Sequence, residues 1–373
     1  MATSVPAFAI LGAGSVVTAR HLPALQAVGA RAASVFDPLP AAAGAAAAEF
    51  GIPNVASTAE AAIADNDVEG VLVASPNAFH REQVECALEY GRHVLCEKPI
   101  ALSLADAKAM AAAAAAAGLV LQLGFHHRFS AEHLCAKRLI HAGILGDVRA
   151  YSGVISEPLD VIPGGPRNYR FNPSEGGGLT LVDVGQHRID QIRDLLGDFA
   201  TVTCEMSSVL DSHRMDDCVV LSAAMKSGAL GSLSWHRFAR AFTSPLMLYG
   251  TKATLGCSAF IAAPFQSAPV SVFLEDDPTT VLPPDVVAWT RPSRWWGDVE
   301  PGWVDIWPPR RKTFEDQYRA FFDAIAGDGP LRASAEDGYK ALEVVQAAYR
   351  SFGERRSVRL PIPAQSHWDP PSW

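Results

Sequence analysis

Two short stretches hold residues whose types and spacing suit proton transfer. The first runs Arg92-His93-Val94-Leu95-Cys96-Glu97-Lys98-Pro99. An apolar run ends abruptly in an acid, a base and a proline. A lysine at the mouth of a buried strand is placed to act as general acid or base, and Pro99 fixes the turn behind it, with a cis bond as one option. The plainer reading is a surface lysine after a strand. The second stretch is Gly176 to Asp190, GGGLTLVDVGQHRID. Asp183 and His187 are spaced i, i+4, which on a regular helix puts both on one face, in reach of a common substrate. A histidine beside a carboxylate suits proton transfer near neutral pH. A helix cap plus a satisfied histidine is the alternative. No third ligand has the spacing a metal site wants, so no metal is expected.

The elements that must position these residues alternate over the first third of the chain. AFAILGAG is a strand running into glycines, VVTARHLPALQAVG a helix, and RAASVFDP a second strand closed by Asp37. VEGVLVASPN and RHVLCEKP are further strands, each followed by a helix, and VLQLGF is one more. Strands separated by helices of 10–15 residues imply a parallel, doubly wound sheet. Such sheets bind ligands beyond the carboxyl ends of their strands, where Lys98 falls. At the first strand end, Gly12 permits a tight turn and Gly14, followed by Ser15 and Val16, lets the backbone approach a pyrophosphate. Val17 occupies the third glycine position, so the fingerprint is partial and an ordinary turn remains the alternative. Asp37, 25 residues after Gly12, can accept hydrogen bonds from both ribose hydroxyls and would repel a 2′-phosphate. NAD is therefore preferred to NADP. Asp37-Pro38 also reads as a plain turn start. Ser75, Pro76 and Asn77 form a rigid turn beneath a cofactor, or cap the next helix, or both.

After about residue 125 the rhythm changes to longer strand-like runs joined by polar turns, which suggests a large, mostly antiparallel sheet. The expected division is a dinucleotide-binding domain over 1–125 and a substrate-binding and oligomerisation domain over 126–373, with an irregular Trp- and Pro-rich insertion at 277–312. A chain of 373 residues exceeds one ordinary core. Hydrophobic content of 49% with 19% charged residues is that of a folded soluble protein. The net charge of −9 argues against nucleic acid as a partner. The longest apolar run, Ala109 to Leu121, is shorter than the roughly 20 residues of a membrane span. Six scattered cysteines without a CxxC pair point to a reducing compartment, with the cytoplasm as the expected location.

Together, GAGSVVTARHLPAL, VASPNAFHREQVECALEYGRHVLCEKPIALS and GGGLTLVDVGQHRIDQIRDLLGD resemble the Gfo/Idh/MocA oxidoreductases, which include glucose–fructose oxidoreductase and inositol dehydrogenases. LYGTKATL and the closing AFFDAIAG and SAEDGYKALEVVQAAYRS are similar too, so the resemblance covers nearly the whole chain. It implies a Rossmann domain, then an α/β domain whose sheet often forms homodimers or homotetramers through its outer face. It implies hydride transfer between a hydroxyl carbon and nicotinamide, with Lys98 and His187 managing the alcohol proton. Asp183 would orient the histidine or the substrate. Gly12, Gly14 and Asp37 would hold the adenosine half of the cofactor, and Pro76, Asn77, His80 and Glu97 would line the nicotinamide half. Arg128 matches a family arginine near the site, while His126 stands where the family often has asparagine. Tyr169 and Arg170 would lie near the site mouth, and Trp235 with His236 would face the substrate. Trp295, Trp296, Trp303 and Trp307 would form a lid, or pack the insertion onto the sheet or a neighbouring subunit.

The expected function is an NAD-dependent dehydrogenase of a sugar, sugar derivative or cyclitol. The competing readings are glycoside cleavage or epimerisation with a retained NAD, oxidation of a dihydrodiol or another carbonyl reaction, and a non-catalytic dinucleotide sensor. Intact Lys98, Asp183 and His187 argue against the sensor.

Overall fold

The computed structural model describes residues 6–159, 168–210, 214–258, 268–291 and 301–371. Trp295 and Trp296 lie outside these. The first sheet has six parallel strands: β1 (Ala7–Leu11), β2 (Arg31–Phe36), β3 (Asn54–Val55), β4 (Gly70–Val73), β5 (His93–Cys96) and β6 (Leu121–Leu123). Their spatial order is β3-β2-β1-β4-β5-β6, the doubly wound Rossmann arrangement. Strands β1 and β4 are buried at every residue, because helices cover both faces. The order reverses between β1 and β4, which opens a crevice at their carboxyl ends. Two of the helices start where a short polar side chain accepts an orphan amide: Thr58 caps 59–63 and Ser103 caps 104–117.

The second sheet has ten strands: β7 (Val148–Ser156), β8 (Phe199–Ser207), β9 (Cys218–Met225), β10 (Leu230–His236), β11 (Pro245–Gly250), β12 (Thr254–Ser258), β13 (Val270–Leu274), β14 (Thr290–Arg291), β15 (Gly302–Ile306) and β16 (Val358–Arg359). The order is β14-β15-β13-β12-β11-β7-β10-β9-β8-β16. Among the described strands of this sheet only the central β7–β10 pair is parallel. Strands β8 and β9 alternate buried and exposed residues, so one face of the sheet is covered, with helix 335–354 against β8 and helix 186–196 packed on that helix, while the other face is exposed. The span expected to be irregular contains β14 and β15, which extend this sheet. Strands β11 and β12 form a hairpin closed by residues 251–253.

The chain returns to its first domain at the end. Tyr318 and Phe321, on helix 313–326, pack with Phe8 and Ile10 of β1 in one core cluster. The closing part of the chain therefore packs on the first sheet. No helix among the described residues is long and apolar enough to cross a membrane, and all six cysteines are free thiols.

Candidate active site

The crevice is built from strand ends. Gly12 has φ +99°, and a Cβ there would meet the Ala74 carbonyl oxygen at 2.6 Å, so only glycine makes this turn. Gly14 is different: a Cβ there would meet nothing within 4 Å. The protein leaves this exposed backbone bare, as approach by a pyrophosphate requires. Asp37 follows the end of β2. Its Oδ2 accepts the Ala13 amide at 2.8 Å and its Oδ1 the Leu39 amide at 2.8 Å. These bonds aim the carboxylate at the glycine turn and leave each oxygen a second lone pair for a ribose hydroxyl. The residues present thus fit a dinucleotide. Asn77 is almost wholly buried and donates to the Gly176 carbonyl at 2.7 Å, tying the end of β4 to the second domain.

Lys98 leaves the end of β5 through a cis bond to Pro99. Its ammonium donates to the Asp183 carbonyl at 2.7 Å and to Asp183 Oδ1 at 3.1 Å. Arg170 Nε donates to the same Oδ1 at 3.1 Å, and Arg237 donates to Oδ2 at 3.2 Å. Burial works against the Asp183 charge, but Arg170, Lys98 and Arg237 outweigh it and hold the carboxyl well below its usual range. Behind Lys98, Glu97 accepts from His21 at 2.9 Å, and the other His21 nitrogen lies 3.1 Å from the Tyr318 hydroxyl. Arg170 also stacks over the Tyr169 ring at 4.8 Å.

His187 lies in a different environment. Its ring is stacked on His127 with centroids 4.4 Å apart and planes 12° apart, and meets His126 edge-on at 4.8 Å. His126 in turn stacks on Phe314 at 4.5 Å. The His187 ring bonds no described side chain, and its Nδ1 is buried without a partner. Burial, His127 and Lys98 push its pKa well below the ordinary histidine value. His126 is pushed the same way, and His127 falls to about 3, burial being the main cause. All three rings are therefore neutral at neutral pH. Nitrogens of the three come within 4.8 Å of one another. A shared metal would have to lie in the planes of both stacked rings at once, which this arrangement forbids.

Several expectations need correction. Asp183 does not orient His187. Residues 181–185 form a widened π-type turn before the helix at 186–196, so the i, i+4 relation of a regular helix is lost. Arg128 is not available to a cofactor. Its guanidinium is taken by Asp190 at 2.7 Å through Nε and by Asp337, the residue that closes the capping box of helix 335–354. His80 is fully buried with both nitrogens on carbonyls, Pro99 at 2.8 Å and Ser75 at 3.0 Å, so it braces two strand-end loops. Trp235 is 0% exposed and belongs to the core. The residue that reaches the site from its strand face is Arg237, two positions on. Of the tryptophans, Trp303 stands on the outer sheet face beside Phe273, and Trp307 lines a cavity with Arg291 over its ring at 4.9 Å.

Sequence reasoning missed Arg237, His127 and His21. The strand period of two, carried past Trp235, was a usable signal for Arg237. For His127 the signal is its place directly beside His126. His21 had no local signal, since its partner Glu97 is 76 residues away.

Comparison with known proteins agrees with this architecture. Residues 7–125 match the oxidoreductase family with an NAD-binding Rossmann fold, and residues 133–256 match the GFO/IDH/MocA C-terminal domain. The chain is 26% identical over 349 residues to the levoglucosan dehydrogenase of Pseudarthrobacter phenanthrenivorans, covering 85% of this chain and 86% of that protein. It is 25% identical over 361 residues to the inositol 2-dehydrogenase of Rhizobium meliloti, covering 95% and 98%. A solved levoglucosan dehydrogenase in complex with NADH and levoglucosan shares the fold, with a TM-score of 0.81 at 24% identity over 96% of this chain and 100% of that one. With its paired sheets, its Glu97-Lys98-Pro99 strand end and these matches to both halves, the chain belongs to the GFO/IDH/MocA family of NAD-binding oxidoreductases.

Proposed function

We propose that the protein is an NAD-dependent dehydrogenase that moves hydride between a secondary alcohol of a sugar, sugar derivative or cyclitol and nicotinamide. The observation that carries this reading is a neutral, unbonded His187 imidazole near an ammonium that Asp183 holds in place. Such an imidazole is unprotonated at neutral pH, the form that a proton acceptor needs. In oxidation, the His187 ring takes the hydroxyl proton and the Lys98 ammonium stabilises the developing alkoxide. In reduction the same proton returns. Asp183 positions Lys98, and Glu97, braced by His21, holds the strand end from which Lys98 projects. Bound NAD would supply the hydride acceptor. Asp37 favours NAD, because a second anion at the 2′ position would meet its carboxylate.

The naming of relatives as dehydrogenases of levoglucosan and inositol supports a polyhydroxylated ring as substrate. The outer face of the ten-stranded sheet exposes Val220, Leu230, Tyr249, Phe273 and Trp303. That apolar surface supports a homodimer or homotetramer formed through this face. The test of function is NADH absorbance with NAD or NADP and a panel of sugars, sugar acids, glycosides and cyclitols. The expected result is NADH from one polyol class, lost in Lys98→Ala. A flat trace across the panel, or full turnover by Lys98→Ala, would overturn the reading.

A further inference from the structure

The chemistry above leaves a large cavity unused. It holds about 760 Å³, within the range of small-molecule sites. His126 and His127 form one wall, so the cavity lies one ring away from His187. Trp307 offers a flat face, with the Arg291 guanidinium stacked on it at 4.9 Å. Arg310 and Arg311 complete the rim. Arg311 is answered by Asp316 at 2.8 Å, whereas neither Arg291 nor Arg310 makes an ion pair with a described residue.

A second observation lies deeper. A narrow crevice shares His127, Glu132 and Ser258 with the cavity and is also lined by Arg188. Arg188 is only 4% exposed. Its Nη2 donates to the Ser244 carbonyl at 2.9 Å and hydroxyl at 2.6 Å, and its Nε is buried without a partner. It makes no ion pair with a described carboxylate; Glu132, in the same wall, stands beyond ion-pair distance. A buried cation without a counter-charge is costly, and such sites are ordinarily completed by an anion. Arginine in particular presents paired donors that match carboxylate and phosphate oxygens.

We propose that this cavity receives the anionic end of the substrate, so that the sugar or cyclitol oxidised at Lys98 and His187 carries a carboxylate or a phosphate. The inference rests on the dehydrogenase reading for the reacting end, and on Arg188, Arg291, Arg310 and Trp307 for the other. Among the described residues Glu132 is the one acid lining the cavity, and it sets where the neutral hydroxyls of the ring can bond.

Calorimetric titration of the NADH-loaded protein tests this without requiring turnover. The probes are matched sets: glucose, glucuronate and glucose 6-phosphate; galactose and galacturonate; myo-inositol and an inositol monophosphate. In at least one set the acid is expected to bind at least about tenfold tighter than its neutral partner. The carboxylate and phosphate arms decide between the two anions. The double variant Arg291→Ala, Arg310→Ala, at exposed positions that do not endanger folding, is expected to erase that preference; Arg188→Met should do the same. Equal or tighter binding of the neutral member in every set, absence of binding by any acid, or a preference that survives the double variant would overturn the proposal. Acid binding without NADH formation from NAD would keep this site and sink the dehydrogenase. NADH formation with no acid preference would do the reverse.

Discussion

The two sides of the crevice solve the burial of titratable groups in opposite ways. On the Lys98 side charge is kept and matched: one carboxylate, Asp183, faces Lys98, Arg170 and Arg237, each within 3.2 Å. On the His187 side charge is excluded: three histidine rings crowd together, with no acid bonded to any of them, and their pKa values fall. Burial penalises charge on both sides. It is overcome where three cations converge and prevails where nothing compensates it. The difference separates the two tasks of alcohol oxidation. A fixed cation can stabilise an alkoxide, and a neutral ring can accept a proton.

The comparison can be broken at its charged side first. Lys98→Met should lower kcat about 1,000-fold, the scale of a lost acid–base or electrostatic group, with the fold intact by circular dichroism. A loss of less than tenfold would remove Lys98 from the chemistry. Asp183→Asn should instead cost folding stability, about 3 kcal/mol in urea melts, because three partly desolvated cations lose their counter-charge. An unchanged midpoint would mean that the cluster is solvated and the contrast between the two sides is empty.

Acid titration sharpens the contrast, because the two sides fail in different windows. His127 titrates near 3 when folded and near about 6.5 when unfolded. Between those values the unfolded chain binds the extra proton, so stability falls on acidification, by up to about 1.4 kcal/mol per pH unit for such a group. The Asp183 contribution is complete above the unfolded carboxylate value of about 3.9 and is lost only below it. His127→Gln should therefore make the fall in melting temperature between about pH 6 and pH 4.5 less steep, with His126 and His187 supplying the slope that remains and the more acid limb left in place. A profile identical to the parent would show that His127 is not held neutral. The smallest effect is expected at Trp235→Phe: about 1 kcal/mol of stability and no change in KM, since the indole is sealed in the core. A KM shift of tenfold would return Trp235 to the substrate wall.

Much of the frame is legible in the residues. The run AFAILGAG, the alternation of strand and helix, and the position of Lys98 at a strand mouth yield the parallel sheet and one wall of the site, because hydrophobic period and glycine placement are local properties. The roles assigned to Arg128, His80 and Trp235 were not legible. Each is a polar or aromatic residue near a strand end, and whether it faces the crevice depends on which groups pack around it, near in the chain for His80 and much farther for Arg128. Arg128 answers Asp190 and Asp337, 62 and 209 residues away. The i, i+4 pairing of Asp183 with His187 failed for a subtler reason, since a widened turn between two helical segments leaves no plain trace in residue types.

The amino-acid sequence by itself determined the two-sheet architecture, the glycine turn with Asp37 behind it, and the presence of Lys98, Asp183 and His187, because periodicity and turn chemistry act over a few residues. Only the tertiary structure decided that Asp183 serves Lys98 rather than His187, that Arg237 joins from the second sheet, and that the histidines stand neutral beside a cavity edged with arginines. Those outcomes depend on distance, on desolvation and on which charges meet. Such quantities exist only once strands remote in sequence have been brought together.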